Sequence, residues 1–183
     1  MKLQRSALAL AIVSAVSSPV VYSQALEEVV VTARKSAETL GDSPISVRAF
    51  TDAEIRATGV STPQDFVDLT PNVTLVQTQS TGNSFLNIRG ISSARNSELA
   101  AAIMIDGVLL SNPTQLNQQL FDIEQIEVLR GPQGALYGRN AIGGAITITT
   151  KAPSAETEGE VQVGFESAPG FSVKGYVGGA LNE

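Results

Sequence analysis

Ile126-Glu127-Val128-Leu129-Arg130-Gly131-Pro132-Gln133-Gly134-Ala135-Leu136-Tyr137-Gly138-Arg139-Asn140-Ala141-Ile142-Gly143-Gly144-Ala145-Ile146-Thr147-Ile148-Thr149-Thr150-Lys151 is the stretch that decides the fold. An alternating run, Ile126 to Leu129, reads as a strand, and Ala145 to Thr150 reads as another. Between them lie Gly131, Gly134, Gly138, Gly143 and Gly144, which permit positive φ and close backbone approach. Pro132 fixes one φ. Three readings compete for this segment. A phosphate loop needs a Gly-Lys-Ser/Thr ending, and no Lys follows Gly143 or Gly144. A dinucleotide fingerprint opens a helix, whereas Gly144 opens a β-type run. A compact structural turn fits, and no nucleotide site is expected.

The chain has 183 residues, enough for one domain with a core. It carries 12 basic and 18 acidic side chains, a formal net charge of −6. Nothing basic clusters, so nucleic acid is not an expected partner. There is no Cys and no His, which removes disulfides, thiolates, the commonest metal ligand and the commonest neutral-pH base. Asp106, Asp122, Glu124 and Glu127 are the carboxylates weighed as acid–base pairs. Their spacing gives no reason to converge, and the serines show no base partner. No catalytic residue, metal site or cofactor is expected.

Residues 1–25 read as a cleaved signal peptide. Lys2 and Arg5 form a positive start, Ala7 to Val16 is apolar, and Ser23-Gln24-Ala25 has the small-x-small pattern of a cleavage site. A membrane-spanning helix needs about 20 apolar residues, and this run is about half that. The mature chain is therefore expected to be acidic and exported.

Beyond it, Leu26 to Ala33 is rich in β-branched residues and favours an extended backbone. Arg34 to Ser43 is polar and reads as a linker. A strand is expected at Ile45 to Phe50. Thr51-Asp52-Ala53-Glu54 has a capping-box pattern that starts a helix ending at Gly59. A second helix starts at Ser61-Thr62-Pro63, with Phe66 and Leu69 on its inner face. Strands are expected at Val73 to Val76, Phe85 to Ile88 and Ala101 to Ile105, with a turn at Asp106-Gly107. Asn112 to Gln119 reads as an irregular loop. Glu160 to Glu166 and Phe171 to Gly178 alternate polar and apolar around a turn at Ser167 to Gly170. Such a hairpin suits either a soluble protein or a membrane barrel. The N-terminal valine run likewise has two readings: a strand of the domain's own sheet, or an exposed peptide that adds to another protein's sheet edge.

Four motifs, in order, resemble those of TonB-dependent outer-membrane receptors. Glu28-Val29-Val30-Val31-Thr32-Ala33 resembles the TonB box. Asn87-Ile88-Arg89-Gly90 and Ile105-Asp106-Gly107-Val108 resemble two internal plug motifs. Ile126 through Lys151 resembles the closing plug signature, with Gly131, Pro132, Gly134, Tyr137, Gly138, Gly143 and Gly144 as its turn residues. The resemblance spans about residues 26 to 152.

It implies an α/β (α+β) plug with a small mixed β-sheet and short helices, seated in a barrel of about 22 strands. The implied division is 1–25 signal peptide, 26–37 TonB box and linker, 38–152 plug domain, and 153–183 the first hairpin of a truncated barrel. The chain is expected to be a fragment, since a closed barrel needs many more strands. No separate signalling domain is expected before the TonB box. The implied partners are periplasmic TonB, pairing by strand addition with Glu28, Val29, Val30, Val31, Thr32 and Ala33, the receptor's own barrel, an extracellular ligand, and the outer membrane. Arg89 and Arg130 are implied as a lock against carboxylates on the barrel wall. Loops holding Gln77, Ser80, Asn83, Arg95 and Asn96 are candidates for substrate contact. The implied activity is ligand-gated uptake of a scarce nutrient, commonly an iron–siderophore complex, and not an enzymatic reaction. The alternative is a soluble periplasmic binding module with a plug fold.

Overall fold

The computed structural model describes residues 29–32, 38–41, 43–77, 84–93, 98–112, 115, 118–166 and 170–180. Residues 1–25, expected to be a signal peptide, and Glu28, Ala33, Ser80, Asn83, Arg95 and Asn96 lie outside them.

Two short strands come first, β1 (Val30–Val31) and β2 (Glu38–Thr39), paired antiparallel. Then follow β3 (Ser46–Thr51), α1 (Asp52–Thr58), α2 (Pro63–Asp68), β4 (Val73–Gln77), β5 (Ser84–Ile88), β6 (Ile91–Ser92), β7 (Ala101–Ile105) and β8 (Val108–Leu109). β9 (Ile123–Arg130), α3 (Gly134–Tyr137), β10 (Gly144–Thr150), β11 (Glu158–Glu166) and β12 (Gly170–Gly178) complete the described elements. The main sheet has the order β3-β9-β10-β7-β8. It is mixed: β10 runs parallel to β7, and its other pairings are antiparallel. β4-β5-β6 form a second small sheet.

Period-two alternation assigns the two faces of the main sheet. Phe50, Ile126, Val128, Ile146, Ile148 and Ile103 point to one face and pack with Phe66 and Val67 of α2 and Leu86 and Ile88 of β5. This is the principal core. On the opposite face a smaller cluster joins Ala102, Leu129, Ala141 and Ala145, with Val47 and Tyr137 against it. β9 is buried on both faces, and Glu127 stands on the second one, 2% exposed.

α1 and α2 start and stop where the sequence says, but two of their side chains depart from expectation. Thr51 caps α1 by accepting from the Glu54 amide, and Gly59 ends it at φ 71°. The Glu54 carboxylate, however, does not complete the expected box, because it pairs with Arg48 of β3. In α2, Phe66 is fully buried but Leu69 is 45% exposed. Leu69 is the C-cap of this short helix, so Val67 takes the inner place expected for it. Polar residues 34–43 hold β2, so the stretch read as a linker contains a strand.

Asp65 secures the start of α2. Its Oδ2 accepts from the amides of Ser61 at 2.8 Å and Thr62 at 2.7 Å. Burial pushes its pKa up, but these amide bonds outweigh that and hold it below the ordinary aspartate value. A depressed folded pKa stabilises the protein fully above the unfolded value, about 3.9. That contribution is lost as pH falls through the folded pKa. Asp65→Ala is expected to lower unfolding stability by about 1–2 kcal/mol near neutral pH in urea titrations. The difference from the parent protein should shrink toward pH 3.

Candidate functional site: N-terminal strand, two arginines and glycine turn

The signature turn is a clasp. Gly131 N–H donates to the Gly143 carbonyl at 2.9 Å, and Gln133 N–H to the Ala141 carbonyl at 2.8 Å. Between these bonds sits α3, a single turn that the sequence reading did not anticipate. Gly143 N–H then donates to the Ala100 carbonyl at 2.9 Å, tying the clasp to the start of β7. Gly144 lies so close to the Leu129 carbonyl oxygen that a Cβ there would overlap it. Pro132, Gly134 and Gly138 sit on the exposed outer side, whereas Tyr137 packs on the second face of the sheet.

The two arginines lie together. Arg89 adopts φ 53° after β5, and its amide donates to the Asn72 carbonyl at 2.9 Å. Arg130, at the end of β9, donates from Nη1 to the Pro71 carbonyl at 3.1 Å. Arg89 Nη1 lies 3.4 Å from where a Gly131 Cβ would be. Both residues therefore sit at one corner, beside the Pro71–Asn72 turn and Gly131. Neither forms an ion pair with a carboxylate of the described residues. By contrast, Arg48, Arg56, Arg139 and Lys151 each pair with an acid.

The N-terminal strand is docked on the domain. Val31 is buried, 3% exposed, and Val30 is half exposed. Thr32 N–H donates to Glu127 Oε1 at 2.6 Å, and Gln125 Nε2 donates to the Val30 carbonyl at 2.9 Å. Both readings of this segment thus meet a fact: in this conformation residues 30–31 belong to a small sheet of the domain itself, β1–β2. Sequence reasoning missed Gln125 and Glu127 as its partners. Glu127 had entered only as a candidate acid, and its position on an alternating strand gave no hint of what lies opposite.

Gln77, offered as a loop residue, is the last residue of β4 and pairs with Ser84. The other carboxylates weighed for chemistry are dispersed. Asp106 accepts from the Thr150 amide and hydroxyl, each at 2.9 Å, and so ties the β7–β8 turn to the end of β10. Asp122, at φ 56°, accepts with its own carbonyl from the Lys151 amide at 3.0 Å. Glu124 is exposed on β9.

The β11–β12 hairpin has two unlike faces. In register, Val163 faces Val173, Phe165 faces Phe171 and Gly159 faces Val177. These side chains are exposed, Phe165 at 85% and Val177 at 82%. The other face pairs Glu160 with Tyr176 and Gln162 with Lys174. It turns toward the domain: Glu160 bridges to Arg56 at 2.8 Å, and Tyr176 meets the Phe121 ring edge-on, centroids 6.0 Å apart.

A mixed sheet with this glycine clasp defines a plug-type domain. The model of the TonB-dependent receptor plug domain family matches residues 39–145, and the chain belongs to that family. The vitamin B12 transporter BtuB of Vibrio vulnificus is 32% identical over 99% of this chain and 30% of its own length. The pesticin receptor of Yersinia pestis is 28% identical over 85% of this chain and 23% of its own. Among solved structures, the ferric yersiniabactin uptake receptor FyuA of Y. pestis superposes with a TM-score of 0.70 at 29% identity, covering 76% of this chain and 22% of the receptor. The ferripyoverdine receptor of the outer membrane of Pseudomonas aeruginosa shares the fold, with a TM-score of 0.71 at 22% identity. The chain spans less than a third of the length of these relatives.

Proposed function

We propose that the chain is the plug-bearing part of a TonB-driven receptor that admits a scarce nutrient through the outer membrane when ligand binds. Residues 1–25 are the export signal, 26–37 the TonB box and linker, 38–152 the plug, and 153–183 the first hairpin of the surrounding barrel. The observation that carries this reading is the plug-family match over residues 39–145. The hairpin supports it. An exposed row of Val and Phe is an aggregation liability in water but suits the lipid side of a barrel strand, with the polar side toward the lumen. That same row argues against a soluble periplasmic binding module.

Within this reading residues 28–33 are the coupling strand that TonB binds by strand addition, where backbone hydrogen bonds supply affinity. Arg89 and Arg130 are the lock. Both stand at one corner of the plug, and no acid of the described residues forms an ion pair with either one. Carboxylates on the inner barrel wall would do so, in a setting shielded from bulk water. The cargo is a metal chelate or a compound of similar bulk: the relatives include a vitamin B12 transporter and a ferric yersiniabactin uptake receptor. No step calls for catalysis.

The test uses the complete receptor in its own cells. It should fractionate with the outer membrane, and uptake of its ligand should fall to background when TonB is deleted while surface binding persists. Recovery in the soluble periplasmic fraction, or uptake indifferent to TonB, overturns the proposal.

A further inference from the structure

The docked strand β1 has two hydrogen-bonding edges, and both are occupied. In an antiparallel pair successive residues turn their N–H and C=O alternately toward the neighbour and away from it. Val29 faces β2, since its carbonyl accepts from the Leu40 amide at 2.9 Å. Val30 is matched to Thr39 and Val31 to Glu38. Val30 and Thr32 therefore present their backbone groups on the edge away from β2. That is the edge an added strand must use.

We propose that Gln125 and Glu127 form a side-chain cap on this edge, so that the docked coupling strand is closed to strand addition until the cap is broken. The inference rests on the coupling role proposed for residues 28–33. The two side chains stand two residues apart on one face of β9, and that spacing matches the two-residue spacing of Val30 and Thr32 along the strand edge. Each takes one backbone group: Gln125 Nε2 donates to the Val30 carbonyl at 2.9 Å, and Glu127 Oε1 accepts from Thr32 N–H at 2.6 Å. Gln125 also donates to Glu127 Oε1 at 3.0 Å, which holds the pair in place. Together they stand in for the partner strand's own carbonyl and amide.

Glu127 is placed at a cost in stability that the fold does not require. It is nearly fully buried, and its Oε2 has no partner among the described residues. Burial raises its pKa above the ordinary glutamate value, only partly offset by Thr32. An apolar residue opposite Ala49 and Thr147 would pack there without that penalty. What the carboxylate supplies is the acceptor for Thr32. An open groove alongside Val29, Val30, Ala53 and Gln125 leaves room for an incoming chain once the cap lets go.

The experiment uses the complete receptor in bilayers, without ligand. Hydrogen exchange is read on the peptide that covers residues 29–32, and affinity is read with the purified C-terminal domain of TonB. Glu127→Ala and Gln125→Ala are each expected to speed exchange about tenfold, the effect of one net hydrogen bond, and to tighten TonB binding by a similar factor. Glu127→Gln, which keeps a carbonyl acceptor for Thr32, should restore slow exchange, as a merely space-filling role would not predict. If Glu127→Ala does not accumulate, Gln125→Ala, at a half-exposed site, carries the test. Exchange at the parent rate in the alanine variants overturns the cap. Faster exchange with no gain in TonB affinity upholds the cap and overturns the coupling role.

Discussion

Gly144→Ala is expected to cost at least about 3 kcal/mol of folding stability, a large share of the 5–15 kcal/mol that holds a domain together. The reason is steric and local. Gly144 opens β10 between β9 and β7, matched to Arg130 on one side and Ala101 on the other. A Cβ would run into the Leu129 carbonyl oxygen and lie 3.2 Å from Ile88 Cδ1. The first obstacle is backbone of the neighbouring strand β9 and cannot step aside without breaking the β9–β10 ladder. Gly59→Ala is the control. Gly59 is also at positive φ, 71°, but nothing lies within 4 Å of its Cβ position. It should cost only about 1–2 kcal/mol, the strain of a left-handed residue. Urea unfolding of both variants measures the difference. Equal costs would show that the clasp does not require close contact at Gly144.

Val30→Pro is expected to abolish energised uptake, at least about 100-fold, while ligand still binds at the cell surface. Proline removes one backbone donor and places its ring where that N–H stood, a change worth about 3 kcal/mol in a helix interior, where lost donor and ring clash act together as they would in an added strand. At 1.4 kcal/mol per factor of ten this is about two orders of magnitude. The site of the change matters. Val30 turns its backbone away from β2, so the β1–β2 pairing keeps its bonds and the domain keeps its fold. Val31→Pro would instead strike the face that pairs with Glu38. Uptake by Val30→Pro receptor at the parent level would remove residues 28–33 from the coupling role.

The parts of this fold that local pattern specifies were legible in the sequence. β9 and β10 could be read because their apolar residues alternate and their glycines mark the turn between. α1 could be read because Thr51 and Gly59 carry its start and stop in local chemistry. What failed depends on distant partners. Glu54 looked like the second half of a capping box until Arg48, on the neighbouring strand, supplied a stronger attraction. Leu69 continued a helical stripe in sequence, yet the helix ends before it. β2 hides in a polar segment, because a two-residue strand needs only backbone pairing and leaves no periodic signature. The same limit applies to the candidate site. The TonB-box resemblance pointed to residues 28–33, but its docking on Gln125 and Glu127 joins residues 95 positions apart. Nothing in either segment announces the other. Arg89 and Arg130 were singled out separately, each before a glycine, and only the folded chain brings them to one corner.

In the proposed mechanism residues 28–33 are the handle by which a partner strand draws on this plug. The direct measurement is thiol cross-linking in cells between Val30→Cys in the complete receptor and a cysteine in the strand of TonB that would add to it. The native residues 1–183 contain no cysteine to compete. The predicted result is a receptor–TonB adduct that increases when ligand is supplied. A receptor that accumulates in the outer membrane, binds its ligand, and yields no adduct from any of positions 28–33 would show that TonB does not grip this segment.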